Sequence, residues 1–101
     1  MEQMNIEIEL PVTLWMEDDQ FVISTPSLHL ATQGDTEAEA FKNLQEAIEL
    51  FFETALERNV LNDLLLDLGW SIAGNSWNVP QRPVRNGFKV KVPPPHVIDA
   101  R

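Results

Sequence analysis

The start of a long helix lies in residues 33–48, which read QGDTEAEAFKNLQEAI. Before Gly34 apolar and polar residues alternate, as in a strand, whereas after Thr36 the apolar residues recur at intervals of three and four, as in a helix. Thr36 and Glu39 are spaced as a capping box, in which a hydroxyl and a carboxylate satisfy backbone N–H groups of the first turn. We therefore predict a helix from this point to about Arg58, with its glutamates facing outward.

Three strands are predicted upstream of this helix. Residues 6–15 alternate apolar and polar side chains, which is typical of a half-buried strand, and Pro11 favours a position at a sheet edge. Residues 21–25 form a second strand that Pro26 ends, and residues 28–33 form a third. An antiparallel meander covered on one face by the helix accounts for these elements, so the predicted fold class is α+β.

Shorter elements are predicted after the helix. Asn59 is placed to cap the start of a second helix of two to three turns, and Gly69 is placed to end it in a left-handed conformation. Residues 70–79 are typical of a hairpin that turns at Gly74-Asn75 and brings two tryptophans together.

The rest of the chain predicts one more strand and a tail. Residues 88–92 alternate as a strand, and three consecutive prolines then end regular structure. We therefore predict a single domain over residues 1–101, with a core at about 5–58, an extension at 59–92 and a mobile tail at 93–101.

Composition limits the classes of function. The chain has 101 residues and no cysteine, which fits one small domain and excludes disulfides and thiolate chemistry. Residues 1–67 carry 15 acidic and 2 basic side chains, a net charge of −13, whereas residues 68–101 carry +4, which together give −9. The acidic part would repel phosphate, so its natural partner is a basic protein; the alternative is that the charge serves solubility alone.

No catalytic or metal-binding arrangement is found in the sequence. His29 and His96 have no partner at a catalytic or ligating spacing, and the serines show no nucleophile elbow. The acidic run at residues 17–19 lacks the glycine and spaced oxygens of a calcium loop. We therefore expect no enzymatic activity, no cofactor, no metal and no small-molecule substrate.

One part of the chain mixes aromatic and basic side chains, as weak nucleic-acid-binding surfaces do. Its members are Trp70, Trp77, Arg82, Arg85, Lys89 and Lys91. The same residues can instead fill a core with tryptophan and place lysine opposite glutamate across two strands. The structural interpretation is favoured, and nucleic-acid binding is kept as the alternative.

The order of motifs in residues 21–48 resembles the HicB-like antitoxin domain. The shared pattern is Pro-x-Leu, then Gln-Gly-Asp-Thr, then Glu-Ala, Asn and Glu-Ala-Ile on a helix. In this chain the matching positions are Pro26, Leu28, Gly34, Asp35, Thr36, Glu39, Ala40, Asn43, Glu46, Ala47 and Ile48. The resemblance covers residues 6–57, and the later Leu-Gly-Trp and Val-Lys-Val-Pro segments resemble a longer subgroup.

The residues of this motif can be explained by their roles in forming the fold. Gly34 would permit a tight exit from the strand, and Asp35 and Thr36 would cap the helix. Ala40 and the Ala47-Ile48 pair belong to the predicted sheet-facing stripe. The motif therefore does not by itself identify a functional site.

The resemblance implies a β-β-β-α-β domain that homodimerises and neutralises a small basic HicA-type toxin. Such toxins are RNA-cleaving proteins with a catalytic histidine, which the antitoxin covers. We expect the contacts to come from exposed acids, chiefly Glu17, Asp18, Glu46, Glu49 and Glu53. The alternative from another class is a stand-alone adaptor that binds a different protein.

The chain departs from many members of that family after Arg58. Neither a helix-turn-helix nor a ribbon-helix-helix is recognisable there, and the one short helix predicted carries Asp63 and Asp67 in place of basic residues. DNA binding is therefore not expected. The amino terminus, MEQMNIEIEL, shows neither a signal peptide nor a membrane span, so we expect a cytoplasmic protein.

Overall fold

A computed structural model describes residues 5–80 and 87–95 of the chain. It has mixed α and β structure with antiparallel strands, one long helix and one short helix, so the α+β class is confirmed. The elements are β1 (Ile6–Pro11), β2 (Thr13–Glu17), β3 (Gln20–Thr25), a 3₁₀ turn (Pro26–Leu28), β4 (Leu30–Gly34), α1 (Glu37–Glu57), α2 (Leu61–Asp67), β5 (Ser71–Ala73), β6 (Ser76–Asn78) and β7 (Gly87–Val92).

The first predicted strand is wrong in one respect, because it is two strands that belong to different sheets. β1 pairs antiparallel with β7, whereas β2 pairs with β3 in a sheet of order β2-β3-β4. The break falls at Val12, directly after Pro11, whose ring fixes φ and removes a backbone N–H from the ladder. The Thr25 hydroxyl donates to the Pro11 carbonyl at 3.0 Å and holds the end of β1 beside the end of β3.

The predicted third strand begins two residues too early. Pro26 ends β3 as expected, but Pro26–Leu28 form a 3₁₀ turn and His29 follows with a left-handed φ of 57°. β4 therefore starts only at Leu30. Leu28, which the sequence placed in the strand, instead fills the core from the turn, where it is 2% exposed.

Helix α1 and its cap at Thr36 are confirmed, although the second bond of the predicted capping box goes to Asp35 instead of Thr36. The Glu39 N–H donates to the Thr36 hydroxyl at 3.0 Å, and the Glu39 carboxylate accepts from the Asp35 N–H at 2.6 Å. The last helical residue is Glu57 and Arg58 is the C-cap, close to the predicted end at about Arg58. Its buried stripe contains Ala40, Leu44, Ile48, Phe52 and Ala55.

Removal of the Thr36 cap is expected to lower the free energy of unfolding. Thr36→Ala leaves the Glu39 N–H without its acceptor and should lower the free energy of unfolding by about 1 kcal/mol. Thr54→Ala is the matched control, since Thr54 is exposed within the same helix and alanine has the higher helix propensity. Urea denaturation measures both changes; a loss for Thr36→Ala no greater than that for Thr54→Ala would contradict the capping role.

Asn59 has a different role from the one predicted. It adopts a left-handed φ of 61°, and its N–H donates to the Leu56 carbonyl while the Val60 N–H donates to the Ala55 carbonyl. This pair of bonds is a Schellman motif, so Asn59 ends α1 rather than starting α2. Asparagine tolerates both positions, and the local sequence does not separate them.

The predicted ending of α2 and the hairpin after it are confirmed. Gly69 has a φ of 97°, and the Trp70 N–H reaches back to the Leu65 carbonyl at 2.9 Å. β5 and β6 pair across a two-residue turn at Gly74-Asn75. The hairpin brings the ring centroids of Trp70 and Trp77 within 5.9 Å, edge to face.

The start of the predicted mobile tail is packed against this hairpin. Pro93 and Pro95 are buried, and the indole N–H of Trp77 donates to the Pro93 carbonyl at 3.0 Å. The three prolines end the strand, as predicted, but they also close the core at this side. Residues 96–101 of the tail, including His96, lie outside the described residues.

Candidate protein-binding surfaces

The five acids predicted to contact a partner occupy two separate places, the turn after β2 and the outer surface of α1. Glu17 and Asp18 lie at the turn between β2 and β3. Glu46 and Glu53 lie on the outward face of α1, and Glu49 lies on the flank of α1 that faces β7. All five are exposed, so each is available to a partner, but the structure does not bring them together as one face.

The turn that carries Glu17 and Asp18 is fixed beside the start of α1. Asp18 and Asp19 both have positive φ, as a two-residue hairpin turn with matching twist requires. The Gln20 side-chain amide donates to the Asp35 carboxylate at 2.6 Å, so Asp35 holds the turn and does not cap the helix with its side chain. Glu53 is sixteen residues after Glu37, the first residue of α1. At a rise of 1.5 Å per residue, it therefore lies about 24 Å from the end of the helix that is next to this turn.

The outward face of α1 carries a row of glutamates that we call the acidic crest: Glu46, Glu53 and Glu57. These residues are spaced by seven and four positions, so their side chains lie along one line of the helix surface. All three are exposed. A surface of this kind attracts a basic partner and repels the phosphates of nucleic acid.

Glu49 adjoins Glu46 and Glu53 on the helix surface and also borders a region of mixed charge on the side of α1 that faces β7. Together with Gln45 and Ile48 it borders a groove of about 340 Å³, whose opposite wall is β7 with Lys89 and Lys91. The two lysines lie opposite glutamates of β1 in the strand register, Lys89 across from Glu9 and Lys91 across from Glu7. The positive charges of β7 therefore face carboxylates of the same chain.

The aromatic and basic segment provides no base-stacking platform among the described residues. Trp70 is 2% exposed and Trp77 is 4% exposed, and the indole N–H of Trp70 donates to the Ser27 carbonyl at 2.8 Å. Buried rings cannot stack on bases. The structural interpretation is thus supported for the tryptophans, while Arg82 and Arg85 lie outside the described residues.

Several residues of the sequence motif have clear structural roles. A Cβ on Gly34 would lie 2.6 Å from the Ala40 nitrogen, so this glycine is needed for close approach of α1 to β4 and not for a left-handed turn. The Asn43 side-chain amide donates to the Gln33 carbonyl at 2.9 Å, and the Thr32 hydroxyl donates to the Ala40 carbonyl at 3.1 Å. These contacts fix the helix against β4.

One surface was missed by the sequence prediction. An apolar groove of about 460 Å³ lies between α1, the start of β4 and α2. Its lining residues are Leu30, Ala47, Leu50, Phe51, Thr54, Ala55, Arg58, Val60 and Leu64. The signal was Leu50, an apolar residue on the glutamate side of the helix, which is 62% exposed.

Two further observations concern metal binding and membrane crossing. Within residues 5–80 and 87–95, no group of three or more histidine or carboxylate side chains is placed to hold a metal ion. None of the helices in the described part of the chain combines the length and the apolar character that crossing a membrane requires.

Comparison with known proteins identifies no relative. No family model, no curated protein and no solved structure matches this chain.

Proposed function

We propose that this chain is an antitoxin-like protein that binds a small basic HicA-type RNA-cleaving toxin and covers its active site. One observation carries the proposal: every carboxylate between residues 5 and 80 is exposed. None of these acids is buried within the fold. Asp35 and Glu39 accept hydrogen bonds within the chain, whereas Glu46, Glu53 and Glu57 point outward from α1, where a positively charged surface can reach them. The motif resemblance of residues 21–48 supplies the class of partner.

Occlusion requires no chemistry from this chain. An RNA-cleaving protein must hold phosphate with cationic side chains, and these are the groups that exposed carboxylates attract. An acidic protein seated on that surface competes directly with RNA. The proposed role is therefore non-catalytic and cytoplasmic, and the resemblance adds that the chain acts as a homodimer or a higher homo-oligomer.

The electrostatic part of the proposal predicts a specific loss of affinity. In the double variant Glu46→Lys/Glu53→Lys, two contacts change from attractive to repulsive. If the adjacent small reading frame encodes the proposed toxin, we expect its dissociation constant to rise at least about tenfold, which is about 1.4 kcal/mol. Calorimetric titration of the purified proteins measures this change, and the effect should shrink as salt is raised.

A matched control distinguishes the effect of a local contact on affinity from the effect of the chain's net charge. The variant Asp63→Lys/Asp67→Lys makes the same change in net charge on α2, where both acids are also exposed. The variant Glu17→Lys/Asp18→Lys tests the other end of the domain. Equal losses in all three variants would show that only net charge matters and would contradict a defined acidic contact face.

A further inference from the structure

The apolar groove beside α1 has the dimensions of a helix-binding site. Its wall on α1 and the following Arg58 runs from Ala47 to Arg58, eleven steps of the helix, about 16 Å or three turns. Leu50 is 62% exposed and Val60 is 37% exposed, so two large apolar side chains at the groove remain in contact with water. Burial of such surface by a partner is favourable by about 25 cal/mol per Å².

Charge around the groove is arranged asymmetrically. No lining residue is acidic, and the only charged one is Arg58 at the end of α1. The acidic crest runs along one side, because Leu50 is four residues after Glu46 and three before Glu53. An apolar floor with a row of carboxylates on one side selects a ligand that carries apolar and basic groups in two adjacent rows.

We infer that this groove docks an amphipathic helix of the basic partner. Leucine-like side chains at every third or fourth position would enter the groove, and lysines or arginines along one flank would face Glu46, Glu53 and Glu57. The carboxyl end of the docked helix would lie at Arg58, where a cation complements the helix dipole. This is the helix-in-groove mode of recognition. The inference rests on the proposed function only in taking the partner to be the same basic protein.

A second copy of this chain fits the groove less well. Its long helix α1 would bring a second acidic crest beside the first, and like charges placed side by side are unfavourable. An anionic membrane surface is disfavoured for the same reason. The charge pattern therefore points to a basic helix from a different protein.

Synthetic peptides test the groove without the natural partner. The first probe is a helical peptide of about 15 residues with a leucine stripe and lysines along one flank, and the matched probe carries glutamates in place of the lysines. Titrated into the full chain, the lysine peptide should bind at least about tenfold tighter. Its amide chemical-shift changes should cluster over residues 47–64. Shift changes are also expected at Leu30 and Glu46, which border the groove. Equal affinities, or shift changes confined to parts of the fold away from these residues, would overturn the inference.

A pair of leucine variants tests the groove itself. Leu50→Lys places a charge in the groove and should weaken the lysine peptide at least about tenfold. Leu66→Lys is the matched control, because Leu66 on α2 is 46% exposed but does not line the groove, and it should leave binding unchanged. Equal effects of the two variants would contradict the inference, and thermal unfolding confirms that both remain folded.

The two proposals fail in distinguishable ways. If Leu50→Lys binds the basic toxin with unchanged affinity, the groove is not the docking site, although toxin neutralisation stands. If the lysine peptide binds the groove but the chain does not neutralise the product of the adjacent small reading frame, the groove inference stands and the toxin assignment is wrong.

Discussion

Trp70→Ala is expected to lower the free energy of unfolding by about 4 kcal/mol. Trp70 is 2% exposed, contacts the ring of Trp77 edge to face and donates its indole N–H to the Ser27 carbonyl at 2.8 Å. The substitution removes a large buried ring and a hydrogen bond that joins the extension to the turn after β3. Urea denaturation followed by circular dichroism measures the loss.

The control for Trp70 is a neighbouring residue in the same hairpin. Ile72 is 45% exposed, so Ile72→Ala should change the free energy of unfolding by less than about 1 kcal/mol. A small loss for Trp70→Ala, comparable to that of Ile72→Ala, would show that the extension is not part of the core.

Gly34→Ala is expected to cost about 3 kcal/mol, although the substitution adds one methyl group. The new Cβ would lie 2.6 Å from the Ala40 nitrogen and 2.9 Å from the Glu39 carbonyl carbon, and backbone atoms in the first turns of α1 cannot move aside cheaply. The strain should push α1 away from β4 and weaken its contacts with the sheet. Thermal and urea unfolding measure this effect.

Gly74→Ala is the control for Gly34→Ala. Gly74 has a φ of 62° and no atom within 4 Å of an added Cβ, so alanine there meets only backbone strain and should cost about 1 kcal/mol. A ranking in which Gly74→Ala is the more destabilising variant would contradict the close approach of α1 and β4.

Local signals in the sequence were sufficient for the helices and the hairpin. The Thr36 and Glu39 capping pair, Gly69 and the Gly74-Asn75 turn each act within a few residues, and each is found where it was predicted. Asn59 shows the limit of such signals, because asparagine suits both the end of one helix and the start of the next.

Non-local features were not predictable in the same way. The pairing of β1 with β7 joins residues about eighty positions apart, and it explains why the alternating run of residues 6–15 divides at Val12 between two sheets. The apolar groove is formed by residues of three elements that are distant in the sequence. Among them, only Leu50 indicated an exposed apolar surface in the sequence. The predicted acids were correctly expected at the surface, but their separation follows from the three-dimensional arrangement alone.

Growth of cells that express the product of the adjacent small reading frame, alone and together with this chain, tests the central claim most directly. The proposed function predicts that the neighbour alone arrests growth with loss of messenger RNA, and that co-expression of this chain restores both. Growth unaffected by the neighbour, or arrest that this chain does not relieve, would contradict the antitoxin assignment and favour the adaptor alternative.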